Sequence, residues 1–372
     1  MRVSVVRSIL VSSLTSISLA ASASGLTYHV TDLGTLGWFH SEGAGVNNSG
    51  VAVGRSDANI ANTPYRAFYN DGTMHGLGTF GGNQSFGTAI NNSGQVVGGA
   101  STGPINHAFL YTNGVMQDLG TLGSASKRSE AYGINDSGWV VGDSGITNST
   151  VFHAFVYHNG AMTDLGTLGG PSLSLYTNSF AYDVNNSGQV VGDSEFSAAG
   201  NSGTHAFVWQ NGVMTDIGTL GGTVSRAHGI NDSGQIAGSS LTAGNVFHAF
   251  SYSNGVMQDI HGLGVRSDAS SINASGTVVG SWSNYSNGPT GGFVYRNGVM
   301  TDLNTLFDAT SPVTNLTRAT GISDTGYIIG TGYINGGEHA ILLTPNAVPE
   351  PASIAALGLG ALVMLRKRRR KA

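Results

Sequence analysis

The chain has 372 residues, 57 glycines, no cysteine and only 10% charged residues. Without cysteine there is no disulfide framework, thiolate nucleophile or zinc–thiolate site, while 40% apolar content suffices for one large core. Between the two ends, eight Lys and Arg stand against 21 Asp and Glu, which excludes phosphate backbones and hence nucleic acid as partners.

Residues 1–23 read as a secretory signal peptide. Arg2 and Arg7 supply the positive start, Ile9 to Ala20 the apolar stretch, and Ala21-Ser22-Ala23 a cleavage site for signal peptidase after Ala23. An amphipathic helix is the other reading, but the Ser-rich segment has no charged face.

Residues 24–345 are built from a repeat. Variants of Asn-Asn/Asp-Ser-Gly-Gln-Val-Val-Gly begin at Asn47, Asn91, Asn135, Asn185, Asn231, Asn273 and Ser323, so the period runs from 42 to 50 residues. The unit from His205 shows the local logic. His205-Ala-Phe-Val-Trp209 alternates as a strand, Asn211-Gly212 favours a type I′ turn, and Val213 to Ile217 returns. A Gly-Thr-Leu-Gly-Gly loop then leads to Ala227–Ile230, the Asn231-Asp-Ser-Gly234 turn and the return strand Gln235–Gly238. Each unit therefore predicts four antiparallel strands: A before Asn-Asp-Ser-Gly, B after it, C at His-Ala-Phe and D before Gly-Thr-Leu. Units of this size and content are propeller blades. The expected fold is an all-β, seven-bladed propeller of four-stranded antiparallel blades. Only six D strands follow a C strand, and Tyr28–Gly37 matches Val115–Gly123, so the N-terminal strand is expected to complete the last blade and close the ring.

The chemistry-like motifs are weighed against this repetition. Gly142-Asp-Ser-Gly145 imitates a serine-protease loop, but equivalent stretches recur at Gly192, Gly238 and Gly280. Gly99-Ala-Ser-Thr-Gly103 fits a hydrolase pattern yet lacks the helix that a nucleophile elbow requires. His107, His153, His205, His248 and His339 start C strands of different blades, too far apart to share a metal. Pairing with Asp118, Asp164, Asp216, Asp259 or Asp302 is the structural reading. Phe68, Phe109, Phe155, Phe207, Phe250 and Phe293 recur in phase as core residues. No catalytic, metal or cofactor residue stands out.

Residues 346–372 form a second address. Val348-Pro349-Glu350-Pro351 precedes an apolar stretch from Ala352 to Leu365 and the basic run Arg366–Lys371. Fourteen apolar residues fall short of the ~20 that span a bilayer stably. This order resembles the PEP-CTERM sorting signal of Gram-negative bacteria that make exopolysaccharide. The resemblance implies transient membrane contact through the tail, recognition by exosortase, and delivery to the cell surface or extracellular matrix. A weak membrane anchor is the alternative. The repeats themselves resemble the HAF-type extracellular repeat family, on His-Ala-Phe at 107–109, 153–155, 205–207 and 248–250, with departures at Arg66 and Gly292.

Variable loops carry function more often than uniform turns. The B–C and D–A loops place Trp38, Phe39, Tyr65, Tyr176, Trp282 and Tyr285 beside Arg55, Lys127, Arg128, Arg226 and Arg266. Rings beside polar groups suit sugars. The expected function is a monomeric, non-enzymatic binding or scaffold module for polysaccharide or surface protein, with Trp38, Tyr65, Tyr176, Trp282 and Tyr285 as its ligand face. The alternative is a polysaccharide lyase or hydrolase with its site at the channel mouth. Lys127, Arg128 and Glu130 come nearest to a cluster that would mark such an enzyme.

Overall fold

A computed structural model describes residues 26–58, 65–146, 150–169, 177–198, 201–284, 290–313, 315–334 and 336–346. The repeats form one compact unit, Thr27–Asn346. The remaining unit, Met1–Leu26 with Ala347–Ala372, is described only at Leu26, so the signal peptide and the Val348–Pro351 motif lie outside the described residues.

The described chain is all-β apart from one short 3-10 turn at Leu303–Thr305. Its architecture is a β-propeller of antiparallel blades around an axial channel. The second unit is typical, with Ser85–Ile90, Val96–Ser101, Asn106–Thr112 and Val115–Asp118 paired in that order. The C–D turns take the predicted chemistry: Asn113, Asn159, Asn211, Asn254 and Asn297 have φ of 49 to 53°, each followed by glycine at positive φ. Tyr28–Asp32 pairs with Gly337–Pro345, from Tyr28 opposite Pro345 to Asp32 opposite Ile341, outside Ile328–Ile334 and Asn315–Ile322.

The expected seven separate blades are corrected. Five sheets are four-stranded blades; the other eight strands, from Ser179–Val184 to Val256–Asp259, form one sheet. The join is a parallel contact of Thr204 with Val224, between Asn201–Gln210 and Gly221–Ile230, both ten residues long. Gly203 permits the approach, since a Cβ there would stand 2.5 Å from the Thr223 carbonyl oxygen. Strand length and one missing side chain, neither legible as pairing in the repeat, fuse these neighbours.

The core lies between sheets. Phe109 packs with Val53, Ala67 and Leu77 of the preceding unit, and Phe155 with Val97, Ala108 and Leu119. Phe68, Phe109, Phe155, Phe207, Phe250 and Phe293 are fully buried. Buried serines at the start of strand A add polar links. Ser85 Oγ accepts from Ala67 N–H at 3.0 Å and donates to the Gly78 carbonyl, and Ser129, Ser179 and Ser225 repeat the arrangement.

At the A–B turns a larger network surrounds the axis. Asn47 Nδ2 donates to the Asn91 carbonyl, Asn91 to Asn135, Asn135 to Asn185, Asn185 to Asn231, Asn231 to Asn273 and Asn273 to Ser323, all at 2.9–3.2 Å. The Oδ1 of Asn185 meanwhile accepts from Ser187 and Gln189 N–H within its own turn. The next residues form a second, exposed tier, such as Asn92 N–H to Asp136 Oδ1 at 2.8 Å. Asp324 N–H to Asn48 Oδ1, also at 2.8 Å, joins the last turn to the first.

Replacing Asn185 with Ala leaves buried groups on two neighbouring turns unsatisfied, and should cost roughly 2–3 kcal/mol. Asn186→Ala, in the exposed tier, should cost less than ~1 kcal/mol. Chemical denaturation of both variants checks the contrast; equal losses would mean that the buried tier does not carry the ring.

Candidate functional site

Strand A does not pair regularly with strand B. The register slips in every unit, between Gly43 and Gly45, Gly87 and Ala89, Ala131 and Gly133, Ala181 and Asp183, Ala227 and Gly229, Ala269 and Ser271, and Ala319 and Gly321. A β-bulge leaves one residue out of the ladder and re-aims its side chain. The residues skipped are Ala44, Thr88, Tyr132, Tyr182, His228, Ser270 and Thr320, and all of them line the channel. Several bind the neighbouring strand: Thr88 Oγ1 donates to the Ala131 carbonyl at 2.9 Å, and Thr320 Oγ1 to that of Gly43 at 2.9 Å.

Most of these residues are small, but three consecutive ones are large rings. Tyr132 and Tyr182 have centroids 5.7 Å apart, and Tyr182 meets His228 edge-on at 5.4 Å. They form an aromatic arc at the loop end of the channel, where a cleft of about 300 Å³ is bounded further by Asp268, Ser270, Ser281 and Arg318.

Behind the arc lies a polar cluster. The Tyr132 hydroxyl is 2.6 Å from Asp143 Oδ1 and 3.1 Å from Glu130 Oε2. Arg128 Nη2 donates to Asp143 Oδ2 at 2.9 Å and its other terminal nitrogen lies 3.5 Å from Glu130. Asp143 is fully buried, and this burial pushes its carboxyl up to about 6 although Arg128 and Tyr132 pull it down. Burial, then the adjacent carboxylates, pushes the Tyr132 hydroxyl far above its ordinary range. Tyr182 is raised in the same way, by burial first and then Asp193. His228 Nδ1 sits 3.1 Å from Asp268 Oδ1 and 2.8 Å from the Ala269 carbonyl. Burial alone would lower the His228 pKa, but Asp268 outweighs it and the pKa is raised; that of Asp268 is lowered, with His228 outweighing burial. On the next unit Glu42 bridges Arg55 and Arg318, at 2.8 and 2.7 Å.

Of the residues predicted from the loops, Trp38 is 48% exposed and sits 6.0 Å from the Phe39 ring. Tyr65 lies beneath the Arg55 guanidinium at 4.6 Å. Trp282 packs against Ala237, Ala249 and Ile260, and its Nε1 is buried without a partner among the described residues. Tyr176 and Tyr285 lie outside the described residues. No ring contact or hydrogen bond joins Trp38, Tyr65 and Trp282 to one another among the described residues.

The repeated histidines have their structural partners. His107 meets Asp118 at 2.8 Å, His153 Asp164 at 2.8 Å, His205 Asp216 at 2.7 Å, His248 Asp259 at 2.8 Å and His339 Asp32 at 2.9 Å. Each pair ties strand C to the end of strand D. Where Gly292 replaces His, Asp302 instead caps the 3-10 turn. Among the described residues no three His, Asp or Glu side chains converge as a metal ligand set. Sequence reasoning missed the channel arc because period-two alternation cannot see a bulge. The signal present was that Tyr132, Tyr182 and His228 break the run of small residues three positions before the Asn of the turn.

The family described as the PEP-CTERM protein-sorting motif matches residues 347–370. The chain is exported. This signal marks proteins sent to the cell surface or extracellular space and implies processing by exosortase. The match covers the tail alone and lends no support to the HAF-type resemblance of the repeats. No curated protein matches the sequence. Among solved structures, the chain is similar to TolB of Acinetobacter baumannii, with 9% identity and TM-score 0.42 over 83% of this chain and 63% of that one. It is similar to a puromycin-hydrolyzing peptidase of Mycobacterium tuberculosis, with 11% identity and TM-score 0.49 over 88% and 57%. The β-propeller domain of the Trilobed protease of Pyrococcus furiosus gives 7% and 0.48 over 87% and 97%. The chain thus spans less than two thirds of the first two.

Two outcomes are expected. Mass spectrometry of the exported protein should find Arg366–Lys371 removed; an intact basic tail on surface protein would contradict processing. The second concerns Asp143, whose folded carboxyl at about 6 lies above the ~3.9 of an unfolded chain. Its protonated form favours the fold, so that contribution is complete below about pH 4 and is lost as pH rises through about 6. Asp143→Asn should flatten the fall in denaturant midpoint over this window. Asp183, also pushed to about 6 by burial, retains part of the slope.

Proposed function

We propose that this exported protein is a non-enzymatic binding module of the cell surface or matrix, and that it takes its ligand at the loop end of the axial channel. The observation that carries this reading is the arc of Tyr132, Tyr182 and His228, the place where bulge residues depart most from the repeat and line a cleft. Binding sites combine apolar ring surface with a few fixed polar groups. Trp38, in the strand Gly37–Val46, and Tyr65, just before Arg66–Asn70, extend the surface available to a polymer, while the packed Trp282 is a support for the loops. A polysaccharide or an extended segment of surface protein suits such a face. Resemblance of the repeats to HAF-type extracellular proteins agrees with this role.

The catalytic alternative is weaker on chemical grounds. A general acid or base must reach the substrate; of the two carboxyls pushed to about 6, Asp143 is fully buried behind Tyr132, and Asp183 is held in the channel wall by the N–H groups of Val184 and Ile230. The phenol of Tyr132 is committed to the Asp143 carboxylate and titrates too high to act as a base near neutral pH.

Incubating the exported protein with purified exopolysaccharide and with purified surface proteins tests the proposal. Retention of one of them with polymer or chain length unchanged on size exclusion is expected. Shortening of the polymer would replace this reading with the enzymatic one, and retention of neither would end it.

A further inference from the structure

We infer that the channel mouth takes the end of a neutral saccharide chain, entering end-on; this rests on the binding reading above and specifies its ligand.

The charge arrangement argues for neutrality. Each charged group bounding the cleft already has a partner: Asp268 has His228 Nδ1 at 3.1 Å, and Arg318 has Glu42, shared with Arg55, at 2.7 Å. Behind them Arg128 is held by Asp143 at 2.9 Å, and Arg226 lies 4.0 Å from Asp193. A uronate or phosphate drawn to Arg318 would meet Glu42 on the same guanidinium and Asp268 in the same cleft, whereas hydroxyls can share both. The Asp268 side chain remains 49% exposed and that of Arg318 42%, so each keeps hydrogen-bonding capacity toward the cleft.

Ring presentation argues for a sugar. The Tyr132 hydroxyl is turned away to Asp143, which leaves ring surface and not the polar tip toward the channel. Such surface matches the C–H faces of pyranose rings, whose hydroxyls then meet Ser270, Ser281 and Asp268 around the cleft. A volume of about 300 Å³ is at the small end of ligand sites, enough for one or two sugar residues.

Topology argues for an end. Tyr132, Tyr182 and His228 belong both to the cleft and to the channel below it, where every inner strand contributes a wall residue. A ring of strands surrounds that space, so no polymer can lie across it at that depth. Only a terminus can descend.

Calorimetry of the exported protein against neutral glucan, mannan and galactan oligosaccharides of four to six residues, uronic-acid oligomers of equal length, and neutral oligomers modified at either terminus tests the inference. At least one neutral oligosaccharide should bind, and modification of one terminus should weaken it roughly tenfold or more. Ser270→Trp fills the cleft and should abolish binding at unchanged melting temperature; if that variant does not fold, Ser281→Tyr places the bulk on strand B. Tyr182→Phe, which keeps the ring, should bind within about threefold of the parent, and Tyr182→Ala should lose roughly tenfold or more. Tighter binding of uronic oligomers would overturn neutrality, and indifference to both terminal modifications would overturn end-on entry. Unaltered binding by a folded, cleft-filled variant would overturn the location. If no neutral oligosaccharide binds while the same protein retains matrix polymer or surface protein, this inference fails and the broader binding reading stands.

Discussion

One asparagine side chain in each of the first six units, fastened at one end to its own turn and at the other to the next, is the interaction on which the ring depends. The amide has the right inventory for the task. Its oxygen accepts two N–H groups of the tight turn, and its nitrogen donates to a neighbouring carbonyl that would otherwise face the channel unsatisfied. Aspartate at that position would close the turn but could not donate to the next. In the last unit Ser323 supplies only the local part, its Oγ accepting from Tyr327 N–H at 3.1 Å, and Asp324 makes the seam with Asn48.

With the turn end tied, the inner strands are held close enough that a regular ladder would crowd the axis. The bulge relieves this by turning one residue per strand into the channel, and small residues tolerate the position. Gly133 shows how tight the neighbourhood is: a Cβ there would lie 2.7 Å from the Tyr182 carbonyl oxygen. Large rings at Tyr132, Tyr182 and His228 therefore need a support that other units lack. Asp143 supplies it to Tyr132 and Asp193 to Tyr182 from strand B, whereas His228, whose own strand B carries Ser239, is held by Asp268 of the next unit. Asp143 and Asp193 are also carboxylates whose burial raises their pKa, which links the shape of the site to its proton inventory.

This division separates stability from recognition along one strand. At the turn end the units are nearly interchangeable and spend their polar groups on each other. At the loop end the units differ, and the His–Asp tethers on the outer strands keep the variable loops on a fixed frame. An exported protein without a single cysteine gains its rigidity from this repeated hydrogen bonding and not from covalent staples.

The sequence by itself determined the strand content, the turn types, the phenylalanine core and the export signal, because these follow from local periodicity, from Asn-Gly backbone preference and from a linear motif. It placed His339 at the head of a C strand, but that its partner is Asp32 of the N-terminal strand came from the structure. What only the tertiary structure decided was pairing between units and the aim of bulged side chains. The fusion of two sheets turns on the reach of Asn201–Gln210 and the missing side chain of Gly203. The channel arc turns on a register slip that reverses the face to which a residue belongs. Asp143 looked like one more repeat residue in Gly142-Asp-Ser-Gly145, and became the anchor of Tyr132 only when strand B brought it within 2.6 Å. A repeat announces what its units share. The differences acquire meaning only when the ring sets them side by side.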